Sequence, residues 1–103
     1  MFMNKRRKRK RQIFYHHIEL VYNNPTLVIS EELRQALLNS ASGLEKGDSI
    51  AYLAYRLYPF VCDEILHRKA NRNDELLVLK KYLERKRWRY YWGVILQVAF
   101  INH

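Results

Sequence analysis

Ser49-Ile50-Ala51-Tyr52-Leu53-Ala54-Tyr55-Arg56-Leu57-Tyr58-Pro59-Phe60-Val61-Cys62-Asp63-Glu64-Ile65 is the stretch whose periodicity decides the fold class. Ile50, Leu53, Ala54, Leu57, Val61 and Ile65 recur every three or four positions. That spacing gathers them on one face of a helix, whereas a strand would need strict alternation. Asp48 or Ser49 supplies the N-cap, since a short side-chain oxygen can accept from an open backbone N–H of the first turn. Pro59 lies inside the pattern and lacks a backbone donor, so a kink or a break near Tyr58 is expected.

Working upstream, Ser30 caps a second helix, with Glu31 and Glu32 placed where the helix dipole favours anions. Leu33, Ala36, Leu37 and Ala41 form its apolar side, and Ser42-Gly43 is expected to end it. The connection over residues 42–48 would then exceed the about three to four residues of a helix-turn-helix, which argues against that motif. Further upstream, Phe14, Ile18, Val21 and Tyr22 mark a first short helix over residues 12–23, stopped by Asn23-Asn24-Pro25. A strand competes there, because the segment is rich in β-branched and aromatic residues.

Downstream, Asn71-Arg72-Asn73 closes the central helix, and Asn73 or Asp74 caps a fourth. Leu76, Leu79, Leu83, Tyr90, Val94 and Val98 share its apolar face. The pattern reaches Ile101 unless Gly93 divides it, leaving residues 94–101 as a buried strand or a short helix. The expected architecture is all-α: a compact bundle of about four helices in one domain, residues 12–103. A basic arm, residues 1–11, precedes it and is expected to be disordered when free, because adjacent cations repel one another and bury nothing.

Composition narrows the function classes. The chain has 103 residues, 49% of them apolar, which suits one small domain with a modest core. Cys62 is the only cysteine, so neither a disulfide framework nor a paired-cysteine zinc site can form within the chain. The basic start runs into Gln12-Ile13-Phe14-Tyr15-His16-His17, which is not the apolar segment of a secretory signal. Residues 90–101 form the longest apolar stretch, well short of the about 20 residues of a membrane span. A cytoplasmic location is expected, or a nuclear one in a eukaryotic cell.

The net charge of +9 is unevenly placed. Lys5-Arg6-Arg7-Lys8-Arg9-Lys10-Arg11 is seven cations in a row. Residues 12–79 hold six cations and nine anions, whereas residues 80–89 hold six cations and one anion. Cations neutralise phosphates and release condensed counterions, so the run over residues 5–11 points to nucleic acid. Lys81, Arg85 and Arg89 stand at helical spacing and form a second basic stripe, with Trp88 and Trp92 beside it. Such a row can hold a backbone while Trp88 stacks on bases. The competing reading packs both tryptophans into the core, as is usual for Trp.

The expected function is therefore non-enzymatic nucleic-acid binding, DNA and RNA being undecided, by a regulator or a component of a nucleoprotein assembly. The candidate contacts are Lys5, Arg6, Arg7, Lys8, Arg9, Lys10, Arg11, Lys81, Arg85, Trp88 and Arg89. The alternative is a helical interaction module, of the inhibitor, immunity or phage-regulator kind. It would dock on a protein through Tyr52, Tyr55, Tyr58 and Trp92, with the arm on an acidic surface of that partner. A membrane surface is not the expected partner, because residues 88–101 read as the terminal core element of a small bundle. Glu64-Ile65-Leu66-His67 has the Glu-x-x-His spacing of di-iron bundles, but no second copy exists. Asp63 and His67 read instead as a surface pair, and no metal or cofactor is expected. Cys62 and His67 point to different sides of a helix, so a Cys/His nucleophilic pair is not suggested. No phosphate-cradling glycine motif is present.

Overall fold

A computed structural model describes residues 5–68 and 74–101, with side chains over residues 8–68 and 75–97. The protein is all-α: α1 (Lys5–Tyr22), α2 (Glu31–Lys46), α3 (Ile50–His67) and α4 (Asp74–Ile101). The apolar repeat of α3 buries Leu53, Ala54, Leu57 and Val61 and leaves Ile50 and Ile65 half-buried against the same core. Ser49 caps α3 by accepting from the Tyr52 N–H. Pro59 does not break the helix. Its missing donor orphans the Tyr55 carbonyl on an exposed flank, where water can satisfy it.

α2 runs four residues further than Ser42-Gly43 would allow, ending at Lys46. Gly47 at φ 90 takes the left-handed position, and Asp48 N–H donates to the Gly43 carbonyl while Gly47 N–H donates to that of Leu44. This closure needs a glycine at residue 47, not at residue 43. Gly43 serves packing: a Cβ there would stand 2.5 Å from a Leu53 methyl, so its absence lets α2 and α3 approach closely. The α2–α3 connection is accordingly residues 47–49, three residues, the length of a helix-turn-helix turn. The outward flank of α3 carries Tyr55, Arg56, Pro59, Phe60 and Asp63, a single cation among them, so the short turn does not make α3 a recognition helix.

The helix reading prevails over the strand reading at residues 12–22, because Phe14, Ile18 and Val21 line one buried face. α1 also starts at Lys5, ahead of the boundary expected at residue 12, so the described part of the basic run continues the helix. Arg11 is the reason this continuation is held. Its guanidinium donates to the Leu44 carbonyl at 3.0 and 3.2 Å and to the Asp48 carbonyl at 2.6 Å. One cation thereby ties α1 to the end of α2, adding a second donor at the Leu44 carbonyl and a partner for that of Asp48.

The link between α1 and α2 contributes to the core without being regular structure. Leu27 and Ile29 are buried and Val28 between them is exposed. Asn24 starts the turn by accepting from Thr26 and donates to Glu75 on α4 at 2.7 Å. Glu64 then fastens the start of α2 to α3. Its carboxylate accepts from Ser30 N–H at 3.3 Å and from Arg68 Nε at 2.9 Å. The Glu-x-x-His spacing is thus explained by structure. His67 Nδ1 meets the Asp63 carbonyl at 2.7 Å, so the expected Asp63–His67 side-chain pair is not formed. No cluster of metal-ligating residues occurs among the described residues.

α4 packs antiparallel on α3. Tyr58 meets Glu84 and Arg87, whereas Tyr52 and Tyr55 meet Tyr90 further along. Leu76, Leu79, Tyr82 and Leu83 of α4 are buried, but the stripe stops at half-buried Tyr90. Val94 is 42% exposed, contrary to its expected place on the core face, and Val98 lies outside the described side chains. Gly93 has open space around it, and α4 passes through it as one unbroken helix. The overrun shows in the dimensions: the Cα radius of gyration is 15.1 Å, against about 13 Å for a compact chain of this length.

Burial raises the Glu64 pKa, but hydrogen bonds from Ser30 and Arg68 outweigh it and hold the carboxyl below its usual 4.5. A lowered folded-state pKa stabilises above the unfolded value and loses that contribution as pH falls through the folded one. Glu64→Gln should therefore cost about 1–3 kcal/mol at neutral pH in urea titration, and the gap from the wild type should close under acid conditions. The Tyr82 hydroxyl is buried with no hydrogen-bond partner among the described residues, and burial pushes its pKa up to about 12 against the pull of Arg85. Tyr82→Phe removes that unsatisfied group and should raise stability by about 1 kcal/mol in the same titration.

Candidate nucleic-acid interface

Four cations in a turn of helix repel one another, and nothing in the first turn of α1 offsets them. Lys8, Arg9 and Lys10 are exposed there. On α4, Lys81, Arg85 and Arg89 are exposed at helical spacing. Folding brings Lys10 beside Lys86 and Arg89, because α1 packs along α4 through Phe14, His17 and Tyr82, whereas Lys8 lines an opening toward α2 with Glu19 and Glu45. The Phe14 and Tyr82 rings meet edge to face at 5.3 Å, and His17 lies 4.5 Å from Tyr82.

Titration behaviour reports the juxtaposition. Burial, then Arg89, Lys10 and Arg85, lower the Lys86 pKa. Burial, then His16 and Arg85, lower that of His17. In both groups burial acts first and the neighbouring cations add to it. Ion pairs among the described residues join Arg34 to Glu31, Arg68 to Glu64 and Lys80 to Glu84. None of them neutralises Lys8, Arg9, Lys10, Lys81, Arg85, Lys86 or Arg89.

An open groove of about 770 Å³ runs between these helices. Lys10, Lys86 and Arg89 line it, together with Ser49, Ile50 and Ala51 at the start of α3. Cations from α1 and α4 therefore line one cleft, a setting that suits phosphate oxygens.

The other sequence candidates divide by position. Arg11 lines the same groove, but its guanidinium is committed to the Leu44 and Asp48 carbonyls, which makes it a structural residue. The side chains of Lys5, Arg6 and Arg7 lie outside the described residues. Trp88 and Trp92 are exposed at 46% and 55%, not packed in the core as is usual for Trp. They stack on each other at 6.3 Å on the outward side of α4, and neither lines the groove.

The tyrosines of α3 mostly face α4. Tyr58 donates to Glu84 at 3.0 Å, and the Arg87 guanidinium lies 4.0 Å above its ring. Burial and hydrogen bonding with Cys62 and Glu84 push the Tyr58 hydroxyl up to about 12. Lys80 also donates to Glu84, and that bond, with Tyr58 adding to it, holds the Glu84 carboxyl below its usual range. Tyr52 and Tyr55 pack against Tyr90 at 5.4 and 4.8 Å, which leaves Tyr55 partly exposed. Lys86 escaped the sequence reading. It is off the stripe of Lys81, Arg85 and Arg89, and only the approach of α1 gives it a role.

Comparison with family models, characterised proteins and solved structures gives no match for this chain. The charge geometry itself is open to test. Lys10→Gln relieves repulsion at Lys86 and Arg89, so it should raise the denaturation midpoint at low ionic strength. The gain should vanish near 1 M salt, where the Debye length is about 3 Å.

Proposed function

We propose that this protein binds nucleic acid without catalysis, as a regulator or a component of a nucleoprotein assembly. The observation that carries the reading is that Lys10 of α1 meets Lys86 and Arg89 of α4, far apart in sequence, at one groove, with no ion pair to any of the three among the described residues. Phosphates would supply the missing counter-charge, and each contact would release counterions. Lys8, Arg9 and Lys10 of α1 and Lys81, Arg85, Lys86 and Arg89 of α4 are the assigned contacts, with Lys10, Lys86 and Arg89 meeting at the groove. Arg11 is removed from that set, since it holds the α2 end in place. A cytoplasmic or nuclear setting suits this role.

The sharpest test is the salt dependence of binding to duplex DNA and to RNA. The slope of log Kobs against log salt should drop by about 0.9 for each duplex phosphate contact removed. Replacing Lys8, Arg9 and Lys10 by Gln, or Arg85, Lys86 and Arg89 by Gln, should each lower the slope by two to three such steps. Arg11→Ala should instead reduce stability by about 1–3 kcal/mol and leave the slope nearly unchanged. Binding that is undetectable, or indifferent to salt, for both DNA and RNA would overturn the proposal.

A further inference from the structure

Around and beyond Tyr90, the outward side of α4 is apolar and exposed. Trp88, Tyr91, Trp92, Ile95 and Leu96 are each between 37% and 55% exposed. At about 100° per residue these five fall within a sector of about 140°. Lys86, Tyr90, Gly93 and Gln97, which line the cationic groove, lie on the opposite side of the helix. The stripe is therefore separate from that groove. Its i, i+4, i+7 spacing through Trp88, Trp92 and Ile95 is that of a helix packed on another helix. Trp88 meets Tyr91 edge to face at 5.6 Å and stacks with Trp92 at 6.3 Å, so the aromatic half of the stripe is already arranged as one surface.

Area, order and charge point to a second copy of this chain as the occupant. At their fractional exposures the five side chains present about 500 Å², taking about 200 Å² for each. Two copies therefore set about 1,000 Å² against each other, the lower bound for specific association. Along the axis the aromatic residues Trp88, Tyr91 and Trp92 precede the aliphatic Ile95 and Leu96. An antiparallel pair with its two-fold axis near Trp92 lays each bulky half on the slimmer half of the other copy, so the stripe is complementary to itself. Lys81 and Arg85 occupy the same sector upstream and are exposed, so a parallel pair would stack like charges. Antiparallel packing sets the two Arg85 side chains about 14 residues apart along the axis. That is about 21 Å, well beyond the about 8 Å Debye length at physiological salt.

We infer that the outward stripe of α4 is the interface of an antiparallel homodimer. Trp92 packs on Trp92 of the second copy at the two-fold axis, and Trp88 packs on Ile95 and Leu96 of the second copy on either side. The cationic grooves of the two copies face away from the interface, one on each side. An interface of this size gives a reversible monomer–dimer equilibrium in place of a permanent dimer. The inference does not rest on nucleic-acid binding, since none of the assigned cation contacts lies in the stripe.

Sedimentation equilibrium of the full chain, freed of nucleic acid by nuclease and high salt, should show a monomer–dimer equilibrium with Kd on the order of tens of micromolar. Trp88 and Trp92 are the only tryptophans of the chain, so fluorescence reports on the interface directly. Emission should move to shorter wavelength as protein concentration rises through Kd, with neither lipid nor nucleic acid present. Trp92→Lys should weaken the dimer at least about 30-fold and keep the far-ultraviolet helix signal of the parent. Register is read by oxidation in a Cys62→Ser background. Chains carrying Trp88→Cys and chains carrying Leu96→Cys should form a mixed disulfide when oxidised together, and Leu96→Cys chains alone should not cross-link. Each of four results would overturn the inference: a chain still monomeric at millimolar concentration, a Trp92→Lys variant that dimerises like the parent, ready cross-linking of Leu96→Cys to itself, or tryptophans shielded only when vesicles or nucleic acid are added.

Discussion

The antiparallel contact of α3 with α4 is the constraint on which the rest of the molecule depends. α3 is one helix of 18 residues and α4 one of 28. The tyrosines of α3 fix the register: Tyr58 engages Glu84 and Arg87, and Tyr52 and Tyr55 close on Tyr90. Once that register is set, the start of α3 fixes where α4 runs out of partner. Residues before that point bury leucines. Tyr91, Trp92, Val94, Ile95 and Leu96 beyond it are exposed.

A second constraint sets the charge geometry. Arg11 anchors the cationic start of α1 to the turn between α2 and α3, and Phe14 packs on Tyr82 one turn later. These contacts hold Lys10 beside Lys86 and Arg89, and burial first, then these cations, lowers the Lys86 pKa. A fold that brings like charges together, with no counter-charge among the described residues, is stabilised by any polyanion that enters the cleft. The same cations stand at the base of the apolar projection.

Much of the fold was legible in the sequence because periodicity is local. Phe14, Ile18, Val21, Leu33, Leu37, Leu53, Leu57, Val61, Leu76, Leu79 and Leu83 were assigned inward from spacing, and all are buried. The misreadings have common causes. Gly43 carries the local signature of a helix end, yet it is a packing glycine, and only the approach of Leu53 distinguishes the two. Leu27 and Ile29 carry no helical period, so their burial was invisible. Val94 continues the apolar stripe without fault, but a stripe cannot state how far its partner helix extends.

Sequence alone determined the helical class, the number of helices, the inward face of each through Tyr90, and the division of charge between the chain's start and residues 80–89. These follow from side-chain spacing and composition, which act over one or two turns. Tertiary structure decided the convergence of the two basic segments, the structural duty of Arg11, the place of Lys86 and the exposure of Trp88 and Trp92. Each depends on which helix lies against which and in what register, and that is set by packing between residues distant in the chain.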